Sequence, residues 1–396
     1  MSETTDASSD FLVRRDDLSQ TRFVPGLDPD RAALDGGRAL LDVRRFGFSA
    51  NNITYAVVGE QLGYWKFFPA PDGFGRVPVW GIGEVRRSSC DGVVPGQRYF
   101  GYFPISSHLL VAPSVSGPGF LDTSPQRAGL PPVYNTYRLM NEATGFPPDE
   151  DDYTVLLRPL FMTSFMAEDF LADNGVFGAG RVILSSASSK TAFGIAQCLA
   201  QRDGARPEIV ALTSPSNLAF VEGLGIYDSV RAYGDLTQLP ANMASIYVDL
   251  AGDGELIGRV YAHLGASLRF CSLIGVTHWD KRQPPPELEG PPPTFFFAPM
   301  QIQKRLADWG PEGFHQRFIA AWRSFLQSVS GWLTIRHGYG RETIERVYRE
   351  TLAGRTSPAQ GHVLSLLAEA EWAIGRVSEG ARARRDTDPP TEERER

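Results

Sequence analysis

RVILSSASSKTAFGIAQCLAQRDGARPEIVALTSPSNLAFVEGLGIYDSVRAYG, residues 181–234, reads as two consecutive βα units. The apolar run Val182-Ile183-Leu184 enters a loop of small polar residues, Ser185-Ser186-Ala187-Ser188-Ser189-Lys190-Thr191. A helical pattern follows at once, with Phe193, Ala196, Cys198, Leu199 and Ala200 on its apolar face. A second buried strand, Ile209-Val210-Ala211-Leu212, ends in Thr213-Ser214. A strand, a tight loop and a helix N-terminus form an anion site, because free backbone N–H groups and the helix dipole converge there. In a doubly wound sheet that anion is usually the pyrophosphate of a dinucleotide.

The loop departs from the glycine templates. A Rossmann turn wants G-x-G-x-x-G, and serines and alanine hold those places here. A P-loop needs glycine at Leu184 and Ser189, so only Lys190-Thr191 fits it. Lys190 in the first turn opposes the helix dipole by roughly 0.3–1 kcal/mol, which a bound anion would offset. The alternative is that Lys190 points into water. At the end of the second strand an NAD enzyme usually carries an acid for the ribose 2′-hydroxyl. This chain has Thr213-Ser214-Pro215-Ser216-Asn217 and no acid until Glu222, so hydroxyls and an amide stand where a 2′-phosphate would lie. That favours NADPH over NADH, although Ser216 and Asn217 are also good helix caps.

Composition bounds the rest. The chain has 396 residues, 42% hydrophobic and 21% charged, which is material for two or three soluble domains. A net charge of −7 without a basic stripe argues against nucleic acid as a partner. Cys90, Cys198 and Cys271 lie far apart and make neither a disulfide framework nor a CxxC zinc site, so a reducing cytoplasm is the expected compartment. No stretch reaches the roughly 18 apolar residues of a membrane span, and MSETTDASSD lacks signal-peptide features. His108, His263, His278, His315, His337 and His362 are scattered without ligand spacing, and no metal is expected.

Along the chain, residues 1–10 and 380–396 read as polar tails. Residues 11–153 read as a β-rich domain with strand-like runs at 38–48, 77–87, 97–103 and 108–111. Residues 154–330 alternate strands and helices, with strands expected at 182–184, 209–212, 229–233, 246–250, 268–274 and 295–298. Helices are expected at 256–263 and 314–329, and PPPELEGPPP at 284–293 reads as a stiff exposed loop. Residues 331–379 return with a strand, a helix at 342–352 and a strand at 362–366, completing the first domain.

In this order the segments resemble the medium-chain dehydrogenase/reductase superfamily, in which a Rossmann doubly wound parallel sheet is inserted in a GroES-like β-rich domain. PVWGIGEVRR (78–87) resembles its G-x-V strand, and PGQRYFGY (95–102) its glycine turn, with Gln97 for the usual acid. LGIYDSV (224–230) resembles its L-G-A-D segment, and VDLAG (248–252) its fourth strand and turn. SSASSKTA, LTSPSNLAF, LGIYDSV, VDLAGD and GVTHWD look like an uncharacterised family beside the zinc-free quinone and enoyl reductases. The resemblance implies a cofactor set of Ser186, Ala187, Ser188, Ser189, Lys190, Thr191, Thr213, Ser214 and Asn217, completed by Tyr233, Ala251 and Gly252.

The same resemblance directs attention to ANNITYAVVGEQLGYW, residues 50–65. Asn52 matches the asparagine that opens the active-site loop, and Tyr64 the tyrosine about twelve positions later; Tyr55 is the neighbouring candidate. A phenol there would hydrogen-bond a carbonyl oxygen where charge develops, or supply a proton. The alternative is an aromatic core, which Trp65, Phe67 and Phe68 would extend. The expected function is zinc-independent, NADPH-dependent reduction of an activated C=C in an apolar enone, quinone or enoyl thioester. Carbonyl reduction on the same scaffold and a non-enzymatic nucleotide sensor or scaffold are the alternatives. A homodimer through an exposed edge strand near 268–274 or 295–298 is expected as well.

Overall fold

Strand alternation shows why residues 181–273 build one buried parallel sheet. In the computed structural model, which describes residues 8–202, 204, 206–275 and 288–367, Val182, Leu184, Ile246 and Val248 face one layer and Ile183, Val210, Leu212 and Tyr247 the other. The first layer is made by the helices Asp151–Asp173, Lys190–Ala200 and Ala298–Val329, whose Phe161, Phe193, Phe318, Trp322 and Phe325 pack on the sheet. The second is the helix Gly254–Leu264, which sets Leu256, Ile257, Val260 and Leu264 against it. Both faces are covered, so the strands read as apolar runs rather than alternating ones. The order across the sheet is Ser229–Ala232, Glu208–Thr213, Arg181–Leu184, Ser245–Asp249, Leu268–Leu273, Thr294–Phe295, all parallel. By appearance this is 3-2-1-4-5-6, with the crossover point between Arg181–Leu184 and Ser245–Asp249.

The second body is a nine-stranded sheet centred on Ala39–Phe48 and Pro78–Ser88. The C-terminal strand Gln360–Ser365 joins it, pairing His362 with Phe48 and Leu364 with Phe46, and Thr334–Tyr339 lies beside it as the edge. The chain therefore leaves this body at Asp151, builds the parallel sheet and comes back. Buried ion pairs fix the exit: Arg45 meets Asp151 and Asp152, and Arg98 meets Asp151.

Four expectations need correction. Ser9 and Asp10 are not tail; they begin the strand Ser9–Arg14, are buried, and pair with Thr21–Pro25. The sixth strand is only Thr294–Phe295, because Pro299 opens a helix at Ala298. That helix runs to Val329 rather than starting at Phe314, and is kinked at Gly310-Pro311. Residues 50–57 form a helix, Ala50–Val57, not an open loop. Residues 1–7 of the expected N-terminal tail, GVTHWD beyond Gly275, the first four residues of PPPELEGPPP and the tail 380–396 lie outside the described residues.

The helix Asp151–Asp173 crosses the β-rich sheet so closely that glycine is required under it. A Cβ on Gly47 would stand 2.4 Å from the Val155 carbonyl oxygen and 2.6 Å from Leu156 Cα, both backbone atoms. Gly47→Ala should therefore cost about 1–3 kcal/mol of stability. Urea unfolding should show a lower midpoint at unchanged slope; an unchanged midpoint would mean that the helix can shift freely.

Candidate functional site

The loop at the crossover point is braced by side chains where other loops use glycine. Ser185 Oγ donates to Asp249 Oδ1 at 2.8 Å and accepts from the amides of Leu250 and Ala251 at 2.8 and 3.1 Å. Asp249, buried at the end of its strand, also accepts from the Tyr247 hydroxyl and the Gly252 amide, each at 2.9 Å. Burial pushes the Asp249 carboxyl above its usual range, while the hydrogen bond from Ser185 pulls the other way. Ser186 adopts φ +46°, the left-handed region where glycine is usual, and its amide donates to the Tyr233 hydroxyl at 3.1 Å. Tyr227 donates to the Ala187 carbonyl at 2.8 Å.

Ser189 caps the helix by accepting from the Ala192 amide at 3.1 Å. The first backbone bond of the helix joins Phe193 to Ser189, so the amides of Lys190 and Thr191 have no intrahelical acceptor. Across the loop, Asn217 Nδ2 donates to Ser188 Oγ at 3.1 Å, and the Ser214 and Ser216 hydroxyls lie 3.0 Å apart. Thr213 Oγ1 is enclosed without a hydrogen-bond partner among the described residues. Ser188, Asn217, Thr213 and Ser214 thus gather at the C-terminal edge of the sheet, beside two free amides. Ala251 and Gly252 lie in the turn after the fourth strand, and their amides are already held by Ser185 and Asp249.

Lys190 points neither into water nor over the loop. Its Nζ donates to the carbonyls of Pro358 and Gln360, at 3.2 and 2.8 Å, and so ties the helix Lys190–Ala200 to the C-terminal return. Desolvation there lowers its pKa to about 8.

On the β-rich side, Asn52 lines a cavity of about 10 Å³ with Ser49, Asn51, Trp80, Val155, Leu156, Pro159 and Leu160. Its side chain accepts from the Ser49 amide at 2.8 Å and donates to the Pro78 carbonyl at 3.0 Å, which fixes its orientation. Tyr64 lies deeper, with its ring centroid 4.7 Å from that of Tyr55 and its hydroxyl 3.1 Å from that of Tyr134, in a cluster with Phe67, Phe68 and Tyr102. Tyr55 stands between this cluster and the cavity. Its hydroxyl accepts from Trp80 Nε1 at 3.1 Å and is hydrogen-bonded by Asn51, and both of those residues line the cavity. Burial pushes the phenols of Tyr55 and Tyr64 up, so both keep their protons at neutral pH. Neither tyrosine lines the cavity itself. Asn51 reaches Tyr55 from one turn earlier on the same helix, whereas Trp80 comes from the strand Pro78–Ser88, and spacing alone gave no sign of that approach.

Among the described residues no group of three or more His, Cys, Asp or Glu side chains could hold a metal ion, and no helix is long and apolar enough to cross a membrane.

The chain belongs to the family described as "Protein of unknown function (DUF2855)", whose model matches residues 46–357. No curated protein matches it by sequence. Among solved structures it is similar to CurA from Vibrio vulnificus in complex with NADPH, at 12% identity and TM-score 0.57, covering 88% of this chain and 94% of that one. It is also similar to Etr1p in complex with NADP and crotonyl-CoA, at 10% identity and TM-score 0.55, covering 90% and 99%. A third is the yhdH oxidoreductase from Salmonella enterica in complex with NADP, at 13% identity and TM-score 0.50, covering 91% and 100%. These likenesses show the fold: a Rossmann sheet inserted in a GroES-like β-rich domain.

The Lys190 tie has a measurable pH signature. Its folded pKa of about 8 lies below the unfolded value of 10.5. Between those values the unfolded chain holds the extra proton, so stability rises with pH across this window and is lost as pH falls through about 8. Lys190→Met should remove that rise, a difference on the order of 1–2 kcal/mol between pH 7.5 and 10 in urea unfolding. Parallel curves for the two proteins would show that the ammonium is not desolvated.

Proposed function

We propose that this member of the family is an NADPH-dependent, zinc-independent reductase of an activated C=C in an apolar enone, quinone or enoyl thioester. The observation that carries the reading is the loop at the sheet's crossover point. Two helix amides without an intrahelical acceptor, the enclosed Thr213 hydroxyl with no hydrogen-bond partner among the described residues, and the Ser214 and Asn217 side chains converge where a dinucleotide phosphate would lie. Solved proteins of the same fold hold NADPH or NADP, which supports the assignment.

The residues present fit that group. The amides of Lys190 and Thr191 would receive the pyrophosphate, and Thr213, Ser214 and Asn217 the 2′-phosphate. When bound, the nicotinamide supplies a hydride. The chain's own contribution to chemistry is positioning and proton supply. Val155, Leu156, Pro159 and Leu160 give the junction an apolar wall, and Asn52, held by Ser49 and Pro78, gives it a rigid polar edge. Tyr55, protonated by virtue of its burial, is the phenol hydrogen-bonded to the cavity-lining Trp80. We therefore assign it, ahead of Tyr64, the role of donor to the substrate carbonyl. At about 10 Å³ the cavity holds no more than a water, so the two bodies must part before a substrate enters.

That closure also favours a second reading, a nucleotide-binding sensor without turnover. Cofactor titration followed by NADPH oxidation with an enone panel separates the two: binding with no turnover on any acceptor selects the sensor. Product analysis separates C=C from C=O reduction.

NADPH should bind more tightly than NADH, and Ser214→Asp should reverse the order by placing a carboxylate against the 2′-phosphate. Equal wild-type affinities would sink the cofactor assignment. On an established substrate, Tyr55→Phe should lower kcat by about 10²-fold with nucleotide affinity nearly unchanged, whereas Tyr64→Phe should lower it less. A Tyr55→Phe enzyme with full kcat returns that ring to the core.

A further inference from the structure

The C-terminal return encloses a second, larger cavity, of about 340 Å³. It lies between the helix Gly340–Leu352 and the edge of the nine-stranded sheet. Thr343, Arg346, Val347 and Glu350, at helical spacing, form one wall, and Gln360, His362 and Leu364, at strand spacing, form the other. Arg336 closes one side and Arg355-Thr356-Ser357 the end. No residue of the nucleotide domain lines it.

Its chemistry is that of an anion receptor. Three guanidinium groups face one carboxylate, and Glu350 is engaged by Arg346 at 3.3 Å. Arg336 and Arg355 have no carboxylate partner among the described residues. His362 Nε2 is enclosed and also lacks a hydrogen-bond partner among them. The cavity thus carries an excess of about two positive charges in a chain of net charge −7. Hydroxyls of Thr343, Thr356 and Ser357 and the Gln360 amide ring the same space. One arginine suffices to hold a carboxylate, whereas several forks plus hydroxyl donors match the three terminal oxygens of a phosphate dianion. The volume leaves room for a small organic body besides the phosphate.

We infer that this cavity binds a phosphomonoester, as a site separate from the nucleotide loop. The inference does not depend on the reductase reading. The frame of the site includes Gln360, whose carbonyl holds Lys190, so an occupant would sit one residue from the tie between the two bodies.

Phenyl phosphate is a suitable probe, followed by calorimetry on the full chain at low ionic strength. It should bind the wild type, and Arg336→Ala with Arg346→Ala should weaken it at least tenfold. Both side chains are exposed, so the fold should survive, and His362→Gln gives a milder independent test with an expected severalfold loss. Binding should be unchanged by saturating NADPH and much stronger than that of benzoate. Absence of binding, full affinity in the double variant, benzoate binding as tightly, or displacement by NADPH would each overturn the proposal. None of these outcomes bears on turnover, so failure here and failure of the reductase reading are distinguishable.

Discussion

The hydrogen bonds between Ser185 and Asp249 are the constraint on which the parallel-sheet side of the molecule depends. They span the crossover point, where the first and fourth strands part and the sheet opens a crevice. A buried carboxylate is costly unless its oxygens are satisfied. Here Ser185, Tyr247, Ala251 and Gly252 all donate to it. Ser185 in turn accepts two amides of the turn after the fourth strand. One hydroxyl therefore fixes both lips of the crevice, and replacing it would leave donors and an acceptor stranded together.

With the loop held in this way, glycine is not needed to let backbone approach backbone. The left-handed residue is Ser186, and its amide is pinned by Tyr233 while Tyr227 pins the next carbonyl. The strain of a non-glycine residue there, on the order of 1–2 kcal/mol, is offset by contacts from the neighbouring strand and its connections. What these braces leave without an intrahelical acceptor is the pair of Lys190 and Thr191 amides in the first turn of the helix.

This explains what could and could not be read from the chain. The strand runs at 182–184, 209–212 and 246–250 were legible because burial on two faces leaves an unbroken apolar signature, whereas the return at 331–367 was legible from the amphipathic period of the helix Gly340–Leu352. The helix Asp151–Asp173 was not, since Pro159 and a dense mixture of apolar and charged residues obscure its period. The serine-rich loop was recognisable as a loop but not as a braced one, because its partners Asp249, Tyr233 and Tyr227 lie dozens of residues away. Lys190 was conspicuous, yet the carbonyls it binds are about 170 residues further on, and backbone acceptors leave no trace in a sequence. Tyr64 matched a spacing, but spacing does not tell that its hydroxyl meets Tyr134.

The two bodies are joined by unlike contacts. Near Asp151 the joint is buried and ionic, with Arg45 and Arg98 on carboxylates and Gly47 against the helix backbone. Such a joint has one geometry and resists sliding. At Lys190 the joint is one ammonium on two carbonyls, desolvated and weakly basic. Of the two it is the easier to break, since its partners are neutral backbone groups that water can satisfy. Opening of the crevice should therefore release the Lys190 contact before the buried ionic one at Asp151.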